Sequence, residues 1–430
     1  MWCEPVIVVG TTPDYVRKIY DKYPASVLFV LDLRFQGDPF LEGIEKSALL
    51  FSSLEDFEQT MHVVDLNLST NNLSPQGVAC FDCESLIPAA RLAHHLRLPF
   101  PSLEAIVHAR NKFEARNLWE KAEILTPAAA IASDLNETLD FFRCIKRTIV
   151  LKPVSGSGSE LVFQCDDEEE IKRAVRTLKD ELPRRELNPL FRPISIPSKT
   201  TPIDPCRSWI VEEFVSGPEF SCDFMLQNGQ ITILRETGKI KAPDQLFGSI
   251  LAYTFPPSYP ERFSGKNLLY VLKRAAISLG FIWGHFMADF IVPDDGLPVI
   301  IEMTPRPGGD SIPDLVEIAT GYDLLGTHLH IMSGKFQPPE VFSMPPESFA
   351  SINFFAPKEG VIIYLDPSRI FPLPWVKAMV LKKNVGDRIV FPPADYDNRL
   401  LGYCIVSLDL NSNLFSVSQY LQSLLKISIV

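Results

Sequence analysis

Short apolar runs alternate with helical stretches at the start of the chain. Val6–Val9 is uniformly apolar, a helix-like stretch follows it, and Val27–Leu31 is a second apolar run. Strands that alternate with helices favour a parallel sheet wound with helices. Helical spacing returns from Ser85 to His95, and a further helical stretch runs from about Ser102 to Lys121. The pattern therefore predicts an N-terminal α/β unit that ends near Pro99.

Strand-like runs become more frequent after this unit. Thr148–Leu151 is apolar, Asn228–Gly229 has the residues of a tight hairpin turn, and short strand-like runs resume after a break at 337–339. The acidic run 166–170 predicts the start of a helix, because negative charge suits a helix N-terminus. The proline-rich stretch 183–205 reads as a surface excursion. At roughly 150 residues per domain, a chain of this length is expected to contain about three domains.

The composition and charge of the chain argue against some classes of function. The 430 residues are 46% hydrophobic and 22% charged, as in ordinary globular proteins, and the net charge is −12. Because no dense basic run interrupts this acidic balance, we do not expect nucleic acid as a partner. No apolar segment approaches the about 18 residues of a membrane span, and the N-terminus lacks signal-peptide features, so no membrane partner and a cytoplasmic location are expected.

A predicted hairpin carries two acidic residues. The runs 285–292 and 298–303 flank Asp295–Gly296, which is a strong turn signal. Reflection about this dipeptide places Asp289 directly opposite Glu302, where like charges repel. A cation between them relieves that repulsion, and two hard oxygen ligands suit Mg²⁺. The alternatives are a protonated pair or a pair neutralised by arginine, and a shift of register would separate the two side chains.

A lysine and a glycine–serine loop follow the strand at 148–151. Lys152 ends this strand, and Ser155, Gly156, Ser157, Gly158 and Ser159 come after it. A lysine at a strand end can contact a phosphate, and glycines let backbone N–H groups approach polyphosphate oxygens. The loop lacks the Lys-Ser/Thr pair of a Walker A motif. A flexible surface loop is the alternative interpretation.

A third segment combines an apolar strand with acidic residues. It runs from Trp209 to Phe220 and contains Glu212, Glu213, Phe214, Val215 and Glu219. The backbone of such a strand can bind an adenine, and Glu219 can accept hydrogen bonds from ribose hydroxyls. The two adjacent glutamates could equally belong to an ordinary exposed strand. Arg235 and Lys239, beyond the 228–229 turn, either line a substrate site or are solvated.

In order and spacing these motifs resemble the ATP-grasp superfamily, and specifically its carboxylate–amine ligases, such as the L-amino-acid ligases and carnosine synthase. The resemblance covers nearly the whole chain. It includes His108–Lys112, the loop at Lys152–Ser159, the segment Val211–Phe220 and, most specifically, Val299–Gly309. The implied fold is α/β with three domains: a Rossmann-like pre-grasp domain (1–99), an ATP-grasp domain (100–338) with a mobile lid at about 126–207, and a small β-rich C-terminal domain (339–430).

The resemblance also implies roles for individual residues. Lys112 and Lys152 would contact ATP phosphates beside the Ser155–Ser159 loop, the backbone of 212–215 would receive adenine, and Glu219 would bind the ribose. Asp289 and Glu302 would bind Mg²⁺ or Mn²⁺. Arg306 and Lys152 would act in catalysis. His285 is a further candidate because of its place beside the metal strand, either as a substrate contact or as a base, with packing against Met287 as the alternative. This chain has Thr304 where the family usually has asparagine, so Thr304 is the expected third metal ligand.

The implied activity is ATP-dependent ligation. A carboxylate would attack the γ-phosphate to give ADP and an acyl phosphate, and an amine, expected to belong to an amino acid, would displace the phosphate. One alternative transfers the acyl group to a carrier-protein thiol or to an amine on a nucleotide precursor. Another is a degenerate protein that binds ATP without catalysis. Small-molecule substrates and a homodimer are the expected partners.

Overall fold

The computed structural model describes residues 4–193, 203–335, 347–409 and 412–430. Within these ranges the chain forms eleven α-helices and four β-sheets. None of these helices is long and apolar enough to span a membrane. The helices are α1 (Pro13–Lys22), α2 (Phe57–Asn71), α3 (Leu86–Leu96), α4 (Leu103–Arg110), α5 (Lys112–Lys121), α6 (Leu135–Ile145), α7 (Glu168–Glu181), α8 (Gly265–Ser278), α9 (Ile312–Thr320), α10 (Leu324–Met332) and α11 (Leu414–Leu424). The strands are β1 (Val6–Val9), β2 (Val27–Asp32), β3 (Leu49–Ser52), β4 (Gly77–Ala79), β5 (Ala129–Ala132), β6 (Ile149–Pro153), β7 (Phe163–Cys165), β8 (Trp209–Glu213), β9 (Glu219–Gln227), β10 (Gln230–Lys241), β11 (Ile250–Phe255), β12 (Gly284–Ile291), β13 (Val299–Thr304), β14 (Ser348–Phe355), β15 (Gly360–Asp366), β16 (Val376–Leu381), β17 (Arg388–Ile389), β18 (Leu400–Leu408) and β19 (Lys426–Ile429).

The N-terminal unit is a parallel four-stranded sheet in the order β3-β2-β1-β4. Its two central strands are apolar at nearly every position because helices cover both faces. Ile7 and Val9 pack in one core cluster with α3, and Val8 and Phe29 pack in another with α1. The two strands predicted from the apolar runs are confirmed.

The helical stretch predicted from 102 to 121 is two helices rather than one. Asn111 separates α4 from α5 with an extended backbone, and its side chain accepts hydrogen bonds from the N–H groups of Phe113 and Glu114. Asparagine is a strong N-cap residue, which explains the break. The N–H of Lys112 then donates to the Val154 carbonyl at 2.8 Å, so the start of α5 lies beside the glycine–serine loop.

A small antiparallel sheet follows, with strand order β5-β8-β6-β7. Helices α6 and α7 contribute to its core. The acidic run does open α7, and the Asp167 side chain accepts hydrogen bonds from the N–H groups of Glu169 and Glu170. The sheet contains β8 and so continues beyond the predicted lid limit of 207. Residues 194–202, within the predicted proline-rich excursion, lie outside the described residues.

The central sheet has eight strands in the order β13-β12-β9-β10-β11-β14-β18-β16. The turn predicted at Asn228–Gly229 is confirmed: both residues have positive φ, and Gln227 pairs with Gln230 across it. A two-residue turn of this kind matches the right-handed twist of its strands. Helix α8 packs on the β9–β12 face of this sheet within one core cluster.

The C-terminal region is rich in strands, as predicted, but its long strands do not form a separate sheet. β14 pairs with β11, and β18 and β16 continue the same central sheet. β17, β15 and β19 form a separate three-stranded sheet next to α11. The predicted division at 338/339 lies outside the described residues, so the domain limits themselves stay predictions.

Candidate active site

A cleft lies between the small antiparallel sheet and the central sheet. It is lined by residues of both sheets and by Lys112 at the start of α5. All twelve residues predicted to bind the cofactor line it, together with the predicted metal ligands Asp289 and Glu302. The predicted residues Thr304, Arg306 and His285 are not among the residues that line it.

The glycine–serine loop bounds this cleft beside the lysine that begins α5. Lys112 Nζ donates to the Gly156 carbonyl at 3.0 Å. Gly156 has φ +133°, and a Cβ there would lie 3.3 Å from the Phe191 ring, so glycine is required. The Ser155 hydroxyl is buried and donates to the Leu190 carbonyl at 2.7 Å, which orients that side chain toward protein.

Glu212 accounts for the break in alternation within β8. Its side chain is 4% exposed and lies 2.6 Å from Lys152 Nζ and 2.9 Å from Arg116 Nε. Glu213 faces the other way and pairs with the exposed Arg147 at 2.9 Å. Burial alone would raise the pKa of Glu212, but Arg116 and Lys152 outweigh burial and lower it. Burial lowers the pKa of Lys152 to about 8, even though Glu212 opposes that change.

Asp289 and Glu302 are paired across β12 and β13, as predicted. The register that brings the two acids opposite each other differs from the one predicted by reflection about the turn. Phe290 pairs with Ile300, so Ile301 is an extra residue that forms a bulge between the turn and the acidic pair. Without this bulge, the register near the turn would not bring the two acids opposite each other. The Ile301 carbonyl accepts a hydrogen bond from Arg116 Nη2 at 2.7 Å.

Lys239, whose role the sequence left open, lies between two acidic residues of the cleft. Lys239 Nζ lies 2.5 Å from Glu219 Oε1 and 2.8 Å from Asp289 Oδ2. Lys239 is directly opposite Glu219 in the β9–β10 register. Burial raises the pKa of Asp289; Lys239 opposes this, and Glu219 adds to it. For Glu302, burial is outweighed by Lys112 and Lys152, and the pKa is lowered.

Two predicted residues are placed away from this cleft. His285 is 1% exposed, with its Nδ1 3.3 Å from His328 Nδ1 and its Nε2 3.8 Å from Asp223 Oδ2. Its burial argues against the predicted catalytic role. Thr304 is 5% exposed and pairs with Met287. The geometry therefore gives no support to Thr304 as a third metal ligand.

Arg306 lies near the junction of the N-terminal unit with the central sheet. Its Nε donates to Cys83 Sγ at 3.0 Å, and its Nη1 donates to the Pro307 carbonyl at 2.7 Å. The loop that carries it is anchored two residues later, where the Gly308 N–H donates to both oxygens of the buried Asp223. Arg306 does not line the cleft, but after Lys112 and Lys152 it also contributes to the lowered pKa of Glu302.

A second, larger cleft lies along the carboxyl ends of β1 and β2 and reaches the glycine–serine loop. Three residues line both clefts: Ser157, Gly158 and Glu160. The acids of the second cleft are Asp32, Asp82, Glu84, Glu160, Glu181, Asp395 and Asp397, and its bases are Arg34, Arg184 and Arg185. Each arginine lies 3.9 Å or less from one of these acids. Among the described residues, four of the acids have no basic partner, so the cleft has a surplus of negative charge.

Comparison with known proteins identifies one domain of this chain. A model of the ATP-grasp domain matches residues 145–314, which include β6, the glycine–serine loop and the β12–β13 hairpin. This chain has an ATP-grasp domain. The ATP-grasp match covers the residues that line the cleft between the two sheets, except Lys112 and Pro127.

Solved structures show the same fold over the whole chain. The L-amino acid ligase from Bacillus licheniformis is 18% identical, with a TM-score of 0.75 and all of both chains covered. Phosphoribosylglycinamide synthetase from Anaerococcus prevotii is 16% identical, with a TM-score of 0.66 over 99% of this chain and 100% of the other. The uncharacterised protein y4rH of Sinorhizobium fredii is 24% identical over 91% of this chain and 80% of its own length. The predicted resemblance to the ATP-grasp superfamily and the predicted α/β fold are therefore confirmed.

Arg116 was not expected at the site from the sequence, which left Lys239 open between a substrate contact and a solvated residue. Arg116 follows Lys112 by one helical turn, and residues four apart lie on the same face of a helix. The spacing of four residues from Lys112 could therefore have indicated that Arg116 belongs to the site. Lys239 could have been found by reflecting the sequence about Asn228–Gly229, although a register shift between Ile233 and Arg235 changes that count by one.

Proposed function

We propose that this protein is an ATP-dependent ligase that activates a carboxylate as an acyl phosphate and joins it to an amine. The observation that carries the proposal is the acidic pair Asp289–Glu302 in the same cleft as Lys112 and Lys152, within an ATP-grasp domain. Carboxylates held beside lysines provide both a divalent-cation site and a phosphate site.

ATP would lie in the cleft between the two sheets. The N–H groups of Glu213 and Phe214 already donate to carbonyls of the small sheet, which leaves the Val215 N–H as the donor to adenine among these three residues. Glu219, which also lines the cleft, would accept hydrogen bonds from the ribose hydroxyls. Lys112 and Lys152 would contact the phosphates.

The donor set fits Mg²⁺, with Mn²⁺ as a substitute. Asp289 and Glu302 offer hard carboxylate oxygens, and their need for a cation is visible in the buried ammonium of Lys239 that contacts Asp289. When bound, the ion would neutralise charge on the triphosphate. The chain supplies two protein carboxylates here, which suits Mg²⁺ because this ion keeps waters and substrate oxygens as its other ligands.

The reaction requires an anionic carboxylate to approach a polyanionic triphosphate. Attack on the γ-phosphorus would form a carboxylate–phosphorus bond and release ADP, and the amine would then displace inorganic phosphate and lose a proton to give the amide. Lys112, Lys152 and Arg306 supply a preorganised positive field for these steps. Because an acyl phosphate hydrolyses in water, the small sheet and its loop are proposed to close over it.

The second cleft is the proposed approach for the amine. It meets the first cleft at Ser157, Gly158 and Glu160, so a substrate there would reach the region of the γ-phosphate. A reacting amine must be neutral to attack, so its own nitrogen does not need a surplus of carboxylates. The unpaired acids suit an acceptor with a second, cationic group, such as a basic amino acid.

The test is product formation by the purified protein. With ATP, Mg²⁺ and pairs of amino acids, we expect ADP and phosphate in equal amounts and a condensed product that has lost one water by mass. Glu302→Gln serves as the control for contaminating ATPase. AMP and pyrophosphate as products would refute the acyl-phosphate route. Acyl transfer to a carrier thiol would appear as ADP release without an amide, and ATP binding without any turnover would indicate a degenerate protein.

A further inference from the structure

Lys239 occupies the position between the two carboxylates on adjacent strands of the central sheet. Its Nζ is 2.5 Å from Glu219 Oε1 on β9 and 2.8 Å from Asp289 Oδ2 on β12. The side chain of Lys239 is 11% exposed, and those of Glu219 and Asp289 are 15% and 17% exposed. Charges this close and this little hydrated interact strongly, so the ammonium is a substantial part of the local charge balance.

The two carboxylates differ in what remains when Lys239 is removed. Glu219 has a second partner, because Lys241 Nζ lies 3.5 Å from its other oxygen. Asp289 has Lys239 as its sole ion-pair partner among the described residues. Glu302, the other proposed metal ligand, lies 3.9 Å from Lys112. A divalent ion at Asp289 must therefore compete with the ammonium of Lys239.

We propose that Lys239 holds the cation position at Asp289 while no nucleotide is bound, and that the ion gains Asp289 only together with ATP. The inference rests on the proposed nucleotide and metal roles of this cleft, but not on the identity of the substrates. The lysine side chain is flexible and carries three donors, so its ammonium can exchange Asp289 for a phosphate oxygen. Nucleotide and ion then bind cooperatively, and each raises the affinity of the other by the same factor.

This arrangement has a chemical consequence. A metal held at Asp289 and Glu302 without nucleotide would leave the cleft with excess positive charge beside Lys112 and Lys152. While Lys239 contacts Asp289, its ammonium balances the charge of that carboxylate in the ligand-free site. The ion is then delivered as the ATP complex, and free ATP without metal meets a cleft whose Asp289 is already paired.

The decisive experiment measures Mn²⁺ binding without nucleotide, by the loss of the free-ion EPR signal. Lys239→Met removes the ammonium, and we expect Mn²⁺ to bind about tenfold tighter or more, which is about 1.4 kcal/mol. Lys241→Met is the matched control: it removes the same charge from the same strand without touching Asp289, and we expect it to change Mn²⁺ affinity by less than about twofold. The double variant Lys239→Met, Asp289→Asn should return to the wild-type affinity.

The inference is overturned if Lys239→Met binds Mn²⁺ no better than wild type, or if Lys241→Met gains as much. It is also overturned if Asp289→Asn leaves the gained affinity in place. Circular dichroism and melting temperature establish that each variant is folded. Lys239→Gln, which keeps hydrogen-bonding capacity without charge, gives the answer if the methionine variant does not fold. Because the assay contains no substrate, its failure leaves the ligase assay as an independent test of the proposed function.

Discussion

Asp223 and Arg235 form a fully buried ion pair, and its loss should measurably destabilise the protein. Both side chains are 0% exposed. Arg235 Nε lies 3.1 Å from Asp223 Oδ2, and Arg235 Nη2 lies 3.1 Å from Asp223 Oδ1. Asp223→Asn keeps the shape but leaves the arginine charge buried without a partner. Removing one member of a buried pair costs about 3–5 kcal/mol, so we expect the free energy of unfolding to fall by about that amount.

The pH dependence reports the net effect of burial and of this ion pair on the Asp223 carboxylate. Burial alone would raise the pKa of Asp223, but Arg235 outweighs it and the pKa falls to about 2. The shift below the ordinary value of 3.8 corresponds to about 2 kcal/mol. It is smaller than the mutational estimate because the burial that raises the pKa offsets much of the effect of Arg235. An acid with a lowered pKa stabilises the fold above the unfolded pKa and loses that contribution as pH falls toward about 2.

The assay is denaturant unfolding of wild type and Asp223→Asn at several pH values. We expect a constant difference between about pH 5 and pH 7 that narrows below about pH 4. Asp140→Asn is the control, because Asp140 and Arg143 are exposed and 3.8 Å apart, and an exposed pair contributes less than about 1 kcal/mol. If Asp223→Asn changes stability no more than this control, the assignment of a strong buried pair is wrong.

Three further outcomes concern the site. Lys152→Ala should reduce ATP turnover to background without loss of fold, judged by ADP release and circular dichroism; unchanged ADP release would remove Lys152 from the mechanism. Because the pKa of Lys152 is lowered to about 8, the affinity for a fluorescent ADP analogue should fall as pH rises through about 8, and Lys152→Arg should flatten that profile. Lysine should be a better acceptor than norleucine, and Asp397→Asn should weaken that preference in a competition assay; equal use of both amines would contradict the acceptor proposal.

The elements that the sequence predicted best are those set by local pattern. β1 and β2 are uninterrupted apolar runs, and buried parallel strands need that composition. The turn at 228–229 depends on two residues that tolerate positive φ. In the same way Asn111 could have been read as a helix boundary, because asparagine at N-cap is a local signal that the helical periodicity around it concealed.

The contacts that escaped prediction join residues from separate elements. Lys239 meets Asp289 because β10 and β12 both flank β9, and an order such as β12-β9-β10 is not encoded in any single stretch. The burial of His285 escaped prediction for the same reason: its neighbour His328 comes from α10, and alternation within β12 does not reveal that packing. The acidic pair was placed correctly, yet the bulge at Ile301 could not be foreseen from turn chemistry.

The continuity of the central sheet bears on how this protein can be divided. Ala252–Phe255 of β11 pair with Phe349–Ile352 of β14. A shortened form that stops at residue 335 would keep every proposed nucleotide ligand but would expose the unpaired edge of β11 along its whole pairing length. Bare edges of this kind recruit other chains, so such a fragment should aggregate on expression. The strands that follow residue 347 are thus a protective border for the central sheet, and a fragment made for study should retain them.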